Sequence, residues 1–267
     1  MSGTTALSAE EFPKASIDGL EAVIHAASEG LLSHQAEDGH WVFELEADAT
    51  IPAEYIILNH FLGRTDEVTE AKLAHYIRAK QGADGGWPLF AGGEFNLSAS
   101  VKAYFALKLV GDAVDADHMR RARDGILAKG GAKECNVFTR FTLALFGIIP
   151  WRAAPLTRAE VLFAPGWFPL HINKVSYWTR TVTVPLLVLS ALKPRAENPR
   201  GVGLDELFLR PPDEENFKLA NPTNHWLGAI MLKLDRVGKM VEPLVPDTVT
   251  RKAIDKAMAF VSERLNG

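Results

Sequence analysis

Cysteine is nearly absent from this sequence, and its scarcity excludes a fold held together by disulfides. The single cysteine, Cys135, has no second cysteine to pair with, and such a composition is typical of a reducing compartment. The fold must therefore be held by packing, for which 267 residues with 47% apolar content suffice to bury a sizeable core. This length allows one large domain or two small ones.

Long hydrophobic runs and an excess of positive charge are also missing. The longest apolar stretch, Val182 to Leu192, contains Pro185 and is well short of the roughly 20 residues of a membrane-spanning helix. Residues 1–12 do not combine positive charge with an apolar run, so no secretory signal is visible. The net charge of −4 argues against nucleic acid as the main partner. We therefore expect a protein that is soluble or lies on a membrane surface.

Strand signals are scarce too, and helical spacing dominates. Only Trp41 to Glu46 is compatible with a short strand, and an extended loop fits it equally well. The predicted helices begin near Ser16, Thr50, Val68, Ser98, Asp115, Asn136, Trp226 and Asp247, with a short one after a capping box at Thr157–Glu160. Helices in pairs stack side by side, so the sequence predicts an all-α fold, an α/α toroid or incomplete α/α barrel.

Two further segments are assigned by their composition. The segment from Val137 to Phe146 is apolar almost all round, which predicts a buried helix. Residues 194–222, apart from Leu204 to Leu209, are rich in proline, glycine, asparagine and charge, which predicts a long excursion over the surface.

One stretch of the sequence occurs twice. Its matched residues are Gln35, Gly39 and Trp41 in the first copy and Gln81, Gly85 and Trp87 in the second. Each pair is 46 positions apart, and a period of this length indicates stacked supersecondary units. The chain's last residues, Ala257 to Gly267, are similar to the lead-in of a further copy, so we expect the chain to end inside a repeat.

The residue types of the repeat predict a structural clamp between helices. A glycine that follows aspartate makes a tight turn at low cost. The glutamine amide can donate and accept, so it can tie a helix end to the next element. The tryptophan covers the turn with a large apolar face. A catalytic role is not expected for either copy.

Together with its surroundings, the repeat resembles those of the squalene–hopene cyclases. Besides the two copies, the similar segments are Asp38–Val42, Ala53–Tyr55, Val137–Arg140, Leu143–Leu145, Pro150–Trp151 and Tyr177–Thr181. The resemblance runs from about Ile17 to the end of the chain and covers less than half of a full-length family member. The repeat alone would also fit other triterpene cyclases.

Membership of this family would imply two α/α barrels and the conversion of squalene to hopene and hopanol by a carbocation cascade. Protonation starts the cascade in the family, through the middle Asp of an Asp-x-Asp-Asp motif in the C-terminal half. This sequence has no such motif. Its nearest matches, Asp112–Asp117 and Glu46–Thr50, are expected to be loop and helix caps.

The same resemblance predicts how the chain is organised. Residues 1–15 would be a tail and residues 16–267 the N-terminal barrel domain, without the C-terminal catalytic domain. The chain would then supply cavity wall but no catalytic residue, metal ligand or cofactor site, and it would be inactive alone.

Four residues match positions around the substrate in the family. Phe138 and Trp178 match aromatic positions of the cavity, and Val175 and Thr183 match the channel that leads to it. Thr142 stands where the family often has an aromatic residue. Aromatic faces stabilise cations, which is the chemistry such a cavity needs. Without the resemblance, Phe138 and Trp178 would be interpreted as core residues.

A surface segment is implied by the resemblance as well. The predicted helix after the excursion has an apolar side formed by Trp226, Leu227, Ile230, Met231 and Leu234. Family membership implies that this side attaches to the cytoplasmic face of a membrane, whereas packing on the protein's own core is the alternative. The expected partners are squalene or a related polyprene and a membrane surface, with a homodimer as an open arrangement.

Other function classes remain as alternatives. A zinc-dependent prenyltransferase subunit is also an α/α toroid but needs Cys, His and Asp ligands, and only His34 and His40 have even a loose ligand spacing. A glycan-processing toroid needs paired carboxylates, and no such pair stands out. A third alternative is a cyclase-like module that binds a lipid or membrane, or one half of a split enzyme. Either would have this fold but lack the protonating Asp.

Overall fold

The computed structural model describes residues 17–43, 46–155, 158–168, 171–217 and 245–265. Within these ranges the regular structure is helical, without a β-strand, which confirms the all-α prediction. The α-helices are α1 (Ile17–Leu32), α2 (Thr50–Leu62), α3 (Glu67–Ala79), α4 (Leu97–Val110), α5 (Asp117–Ala128), α6 (Val137–Leu145), α7 (Tyr177–Leu192) and α8 (Asp247–Ser262). Short 3₁₀ helices span Ala132–Glu134, Trp151–Ala153, Ala159–Phe163, Ile172–Lys174 and Asp205–Leu207.

The chain divides into two compact units, residues 1–46 and residues 47–267. The first unit contains α1 and the first copy of the repeat, and its described side chains are exposed almost throughout. The second unit contains α2 to α8. No helix in the described part of the chain is both long enough and apolar enough to cross a bilayer.

Helix α4 is the centre of the second unit. Its side chains Tyr104, Phe105 and Leu107 are fully buried, and the helix contacts α2, α3, α5 and α6. Most residues of α4 are buried, including Ser100 and Lys102, so the helix is covered on nearly every side. The polar helix α5 buries only one stripe, including Met119 and Ile126, as an amphipathic outer helix does.

A second apolar cluster joins α7, α8 and the 3₁₀ helix Ala159–Phe163. Val184 and Leu187 of α7 pack with Ala253 and Ala257 of α8, and all four are buried. Polar contacts support the same junction, because the Thr250 hydroxyl donates to Glu160 at 2.5 Å. The predicted capping box begins at Thr157, which lies outside the described residues; Glu160 bonds Arg158 and Thr250.

Several helix ends lie where the sequence predicts them. Gly63 ends α2 with a φ of 63°, a left-handed conformation that glycine adopts without strain. Asn136 caps α6 by accepting from the Thr139 amide at 2.9 Å. Two predicted starts are wrong by one or two residues: Asn96, not Ser98, caps α4, and α5 begins at Asp117, not Asp115.

The excursion over residues 194–222 is not confined to the surface. Within its described part, Leu204 and Leu207 are fully buried and Phe208 is nearly so. The ammonium group of Lys108 on α4 donates to the Gly203 carbonyl at 2.7 Å and pairs with Glu206. The proline-rich composition correctly indicates irregular backbone, but three apolar side chains tie that backbone into the core.

The second copy of the repeat closes the end of α3 onto the chain that follows. The Trp87 indole is fully buried and donates to the Ile77 carbonyl at 2.7 Å. The Gln81 amide donates to the Gly85 carbonyl at 2.8 Å and to the His118 carbonyl, at the start of α5, at 2.7 Å. Carbonyls in the last turn of a helix lack intrahelical donors, and the indole supplies one.

The first copy repeats this hydrogen bonding within its own unit. The Gln35 amide donates to the Gly39 carbonyl at 2.6 Å, and the Trp41 indole donates to the Leu31 carbonyl at 2.7 Å. The two copies therefore share one local structure, as their identical spacing predicts. They differ in burial, because Trp41 is 39% exposed whereas Trp87 is fully buried.

Gly85 shows why the second copy needs glycine. Its φ is 82°, and a Cβ atom built there would lie 2.6 Å from the Arg121 carbonyl oxygen of α5. Gly39 has a similar φ of 89°, but a Cβ atom there would meet only the Gln35 amide, at 3.7 Å. Both glycines allow the turn, and Gly85 also allows α5 to approach the backbone.

Substitutions in the second, buried copy of the repeat should destabilise the protein by different amounts. Trp87→Ala should lower the free energy of unfolding by about 3–5 kcal/mol, since it truncates a buried aromatic. Gln81→Ala should lower it by about 1–3 kcal/mol, since it leaves buried carbonyls without a donor. Urea denaturation measures both. Trp41→Ala is the matched control and should cost clearly less than Trp87→Ala; equal midpoints for all three variants would contradict the clamp interpretation.

Candidate functional site

The two aromatic residues matched to the substrate cavity occupy equivalent places on two helices. Phe138 is the second residue of α6 and Trp178 the second residue of α7. The residue two positions before each one caps its helix: the Asn136 and Ser176 side chains accept from the amides of Thr139 and Thr179. The caps fix where each helix begins and therefore the direction in which each aromatic side chain leaves it.

Both aromatic side chains are exposed. Phe138 is 52% exposed and Trp178 is 77% exposed. The interpretation of these residues as core, which the sequence alone favours, is therefore wrong. Helix α6 is not buried all round either, because its core side carries Phe141 and Leu143 while Phe138 leaves the helix on the open side.

The channel positions lie on the same stretch as Trp178. Val175 directly precedes the Ser176 cap of α7, and Thr183 lies in the second turn of that helix; both are partly buried. The structure thus places Val175, Trp178 and Thr183 at one end of α7. Phe138 makes no ring contact with Trp178. Thr142, one turn after Phe138, donates its hydroxyl to the Phe138 carbonyl at 3.2 Å.

The acidic residues nearest to a catalytic pattern are engaged in structural contacts. Asp48 accepts from the Thr50 amide at 2.6 Å and from its hydroxyl at 2.5 Å, where α2 begins. It lies one residue before the N-cap of α2, Ala49, so it holds the turn that leads into the helix but is not the cap that the sequence predicts. Cys135 is no candidate nucleophile, because burial raises the pKa of its thiol to about 12 and keeps it protonated at neutral pH.

The sequence predicts only a loop and a helix cap around Asp112. The structure shows a charged cluster at this residue. The Arg78 guanidinium donates to the carboxylate twice, through Nε at 2.8 Å and Nη2 at 2.5 Å. His118 Nε2 lies 2.6 Å from the same carboxylate. Burial alone would raise the pKa of Asp112, but hydrogen bonds from Arg78 and His118 outweigh it and hold the pKa below its usual value. The cluster joins α3 to the start of α5.

Arg140, within the segment Val137–Arg140 that resembles the family, is a structural residue. It is 5% exposed and donates to the carbonyls of Lys133, Cys135 and Ala153. Its guanidinium carbon also lies 5.8 Å from the centre of the Phe217 ring. A buried arginine with this many acceptors organises the loops before and after α6.

The cavity found in the second unit is not the aromatic site. Its volume is about 710 Å³, and it lies between the end of α6 and the segment 195–213. Charged side chains line it, among them Arg195, Asp205, Arg210 and Asp213. Polyene cyclisation needs a dry apolar cavity, so this polar one does not fit that chemistry.

The remaining predicted residues are the membrane-facing set and the loosely spaced histidines. The predicted membrane-facing residues, Trp226, Leu227, Ile230, Met231 and Leu234, lie outside the described residues. His40 contacts Asp38, and His34 packs edge-to-face with Phe43. No group of three metal-ligating side chains occurs among the residues that the structure describes.

Comparison with known proteins gives consistent matches. The model of the squalene-hopene cyclase N-terminal domain matches residues 24–267. The squalene–hopene cyclase of Bradyrhizobium diazoefficiens is 53% identical over 98% of this chain and 40% of its own length. That of Zymomonas mobilis is 53% identical over 94% of this chain and 38% of its own length. Dammaradiene synthase of Dryopteris crassirhizoma is 33% identical over 92% of this chain and 36% of its own length. The chain therefore spans 36–40% of the length of these three relatives.

The Asp112 cluster predicts how stability changes with pH. Because the folded pKa of Asp112 lies below the unfolded value of about 3.9, its stabilisation is complete above that pH and is lost as the pH falls through the folded pKa. Asp112→Asn should cost about 1–3 kcal/mol at pH 7, measured by urea denaturation. Asp117→Asn, at a side chain 86% exposed, is the control with little effect. A difference between wild type and Asp112→Asn that stays constant down to pH 2 would contradict the assignment.

Proposed function

The chain belongs to the squalene–hopene cyclase family, whose N-terminal domain it matches, and on that premise we propose that it is the N-terminal part of an enzyme that cyclises squalene to hopene and hopanol. The observation that carries the proposal is 53% identity to a squalene–hopene cyclase over 98% of the chain. In this proposal the chain supplies part of the cavity wall, and the protonating acid comes from elsewhere in the enzyme.

The geometry of the aromatic residues supports the wall role. Phe138 and Trp178 expose large π-faces from the first turns of α6 and α7. Each face can stabilise a carbocation by about 0.5–2 kcal/mol when it lies against the substrate. Asp112, in one of the two weak matches to the acid motif, accepts hydrogen bonds from Arg78 and His118 that hold its pKa below its usual value, so its carboxyl carries no proton to donate at neutral pH.

The activity test uses the chain alone and as part of a complete enzyme. Incubated with squalene in detergent, the chain alone should give no hopene by gas chromatography. A chimera that carries residues 1–267 in place of the matching portion of the Zymomonas mobilis relative should give hopene. In that chimera Trp178→Ala should lower the rate by about 2- to 30-fold, the loss of one cation–π contact.

The matched control for that chimera is Trp167→Ala. Trp167 is also 77% exposed but has no assigned place in the cavity, so its removal should leave the rate unchanged. Equal effects of the two substitutions would contradict the wall role of Trp178. A folded chimera without product would instead favour a cyclase-like lipid-binding module, and product from the chain alone would show that it contains an acid.

Membrane attachment belongs to the same proposal and rests on the sequence. An enzyme that uses water-insoluble squalene should take it from a bilayer, and the apolar side at Trp226, Leu227, Ile230, Met231 and Leu234 has the pattern of an interfacial helix. We propose that it lies on the cytoplasmic face of a membrane. A homodimer is part of this proposal, and light scattering of the detergent-solubilised protein tests it.

Substitution on the two sides of this predicted helix tests the attachment. Leu227→Glu with Ile230→Glu should abolish co-sedimentation with neutral phosphatidylcholine vesicles, since each large apolar side chain contributes about 1.5–3 kcal/mol when buried. Lys233→Glu with Arg236→Glu adds the same two carboxylates elsewhere on the predicted helix and should leave co-sedimentation intact. Both double variants should melt like wild type; unfolding of the first would show that these residues are core.

A further inference from the structure

Helix α7 contains a proline in its interior. Pro185 lies near the middle of α7, and the helix continues through it from Tyr177 to Leu192. Because proline has no amide hydrogen, the carbonyl four residues earlier loses the donor that an α-helix normally gives it. In α7 this carbonyl belongs to Thr181. Proline is the residue that destabilises a helix interior most, so its presence here calls for an explanation.

The Thr181 carbonyl has no replacement donor from outside its helix. In the described part of the chain, no side chain and no amide of another element donates to it. The hydroxyl of Thr181 is directed elsewhere, because it donates to the Trp178 carbonyl at 2.8 Å. The Thr181 oxygen therefore keeps acceptor capacity that the rest of the described structure does not use.

This carbonyl lies on the same face of α7 as Trp178. Residues three or four apart share one face of a helix, so Trp178, Thr181 and Pro185 form a single row. Thr181 lies about 4.5 Å further along the helix axis than Trp178, at a rise of about 1.5 Å per residue. Another side of α7, which carries Val184 and Leu187, packs in the apolar cluster with α8. The row is therefore not the part of α7 that holds the helix in the core.

A carbonyl without its helical donor suits the stabilisation of a positive charge. Backbone carbonyls released from regular structure coordinate cations in channels and transporters. A carbocation needs a weak partner, because a strong base would remove a proton from it and a strong nucleophile would add to it. An amide oxygen is only weakly basic, so it acts through its dipole. The helix fixes the direction of that dipole in advance, so no reorganisation is needed when the charge develops.

We propose that the Thr181 carbonyl, freed by Pro185, stabilises a carbocation in the wall of the substrate cavity, beside the ring of Trp178. This inference rests on the proposed cyclase function and adds a backbone dipole to the aromatic part of the wall. Thr181 contacts the cationic substrate through its carbonyl oxygen. Pro185 acts only through that carbonyl and is a positioning residue.

The first experiment restores the missing donor in the chimera with the Zymomonas mobilis relative. Pro185→Ala returns the amide hydrogen to α7, which then occupies the Thr181 carbonyl. The rate should fall roughly tenfold, less than the about 10²–10³ lost with an oxyanion-hole donor. Gas chromatography should show more incompletely cyclised alkenes, because a poorly stabilised cation loses a proton early. The melting temperature should rise, since a proline leaves the helix interior. Unchanged rate and products would overturn the proposal, and a purely structural role would lower the melting temperature instead.

Two further variants separate the amide hydrogen from the proline ring. Pro185→Val restores the amide hydrogen but keeps a side chain of similar bulk, so it should lose as much rate as Pro185→Ala. A wild-type rate for Pro185→Val would show that the shape of the ring is decisive, and would overturn the carbonyl role. Pro52→Ala is the matched control, because Pro52 lies in the first turn of α2, before the first amide that bonds within that helix. It should leave rate and products unchanged; a loss equal to that of Pro185→Ala would also overturn the proposal.

A charged probe distinguishes failure of this inference from failure of the cyclase function. Calorimetry in detergent compares squalene with a squalene analogue that carries a trimethylammonium group, a cation without a hydrogen-bond donor. Pro185→Ala in the chimera should weaken binding of the cation by the same roughly tenfold factor and leave binding of squalene unchanged. If this difference occurs in a folded chimera that makes no hopene, the carbonyl site stands and the cyclase function fails. If wild type and Pro185→Ala bind the cation equally, the carbonyl site is overturned even where hopene is made.

Discussion

The hydrogen bond from the Trp87 indole to the Ile77 carbonyl is the interaction on which the second unit most depends. It supplies a donor to the last turn of α3 and buries the largest side chain of the repeat at the same place. The Gln81 amide then reaches the His118 carbonyl, so that one turn of chain fixes where α5 begins. With α3 and α5 held in this way, α4 can be covered on every side, and only then can its apolar sequence be stable in water.

Local rules explain most of the fold that the sequence predicts. Gly63, Asn136 and the two copies of the repeat act within a few residues of their own positions, and each was predicted correctly. Contacts over long sequence distances were not predictable in this way. The pairing of Asp112 with Arg78 joins different elements, and the burial of Leu204 depends on the position of α4. Composition describes a segment such as 194–222 but does not say which of its apolar side chains reach the core.

Phe138 and Trp178 show the same contrast between what local sequence predicts and what long-range packing decides. Apolar residues at helical spacing are normally core, so the sequence alone favours burial for Phe138 and Trp178. The structure exposes both, because the opposite sides of α6 and α7 already contain enough apolar surface, such as Phe141 and Leu187, to hold these helices. Only the resemblance to the squalene–hopene cyclases singled out the two exposed residues. Exposure of a large aromatic face is costly in water, and the proposed role of these faces in a cavity wall is consistent with that exposure.

Neighbouring residues on α7 use the attraction between cations and aromatic rings in two different ways. Tyr177 is exposed, but two guanidinium groups already lie over its ring, so its face is not available to a carbocation. No lysine or arginine lies over Trp178 or Phe138 within the described ranges. Since a guanidinium would repel a carbocation as well as cover the ring, the uncovered faces are the ones suited to a cationic cascade. Two residues that are neighbours in the sequence thus differ in one respect: the Tyr177 ring is covered by guanidinium groups, whereas the Trp178 ring has no cationic side chain over it among the described residues.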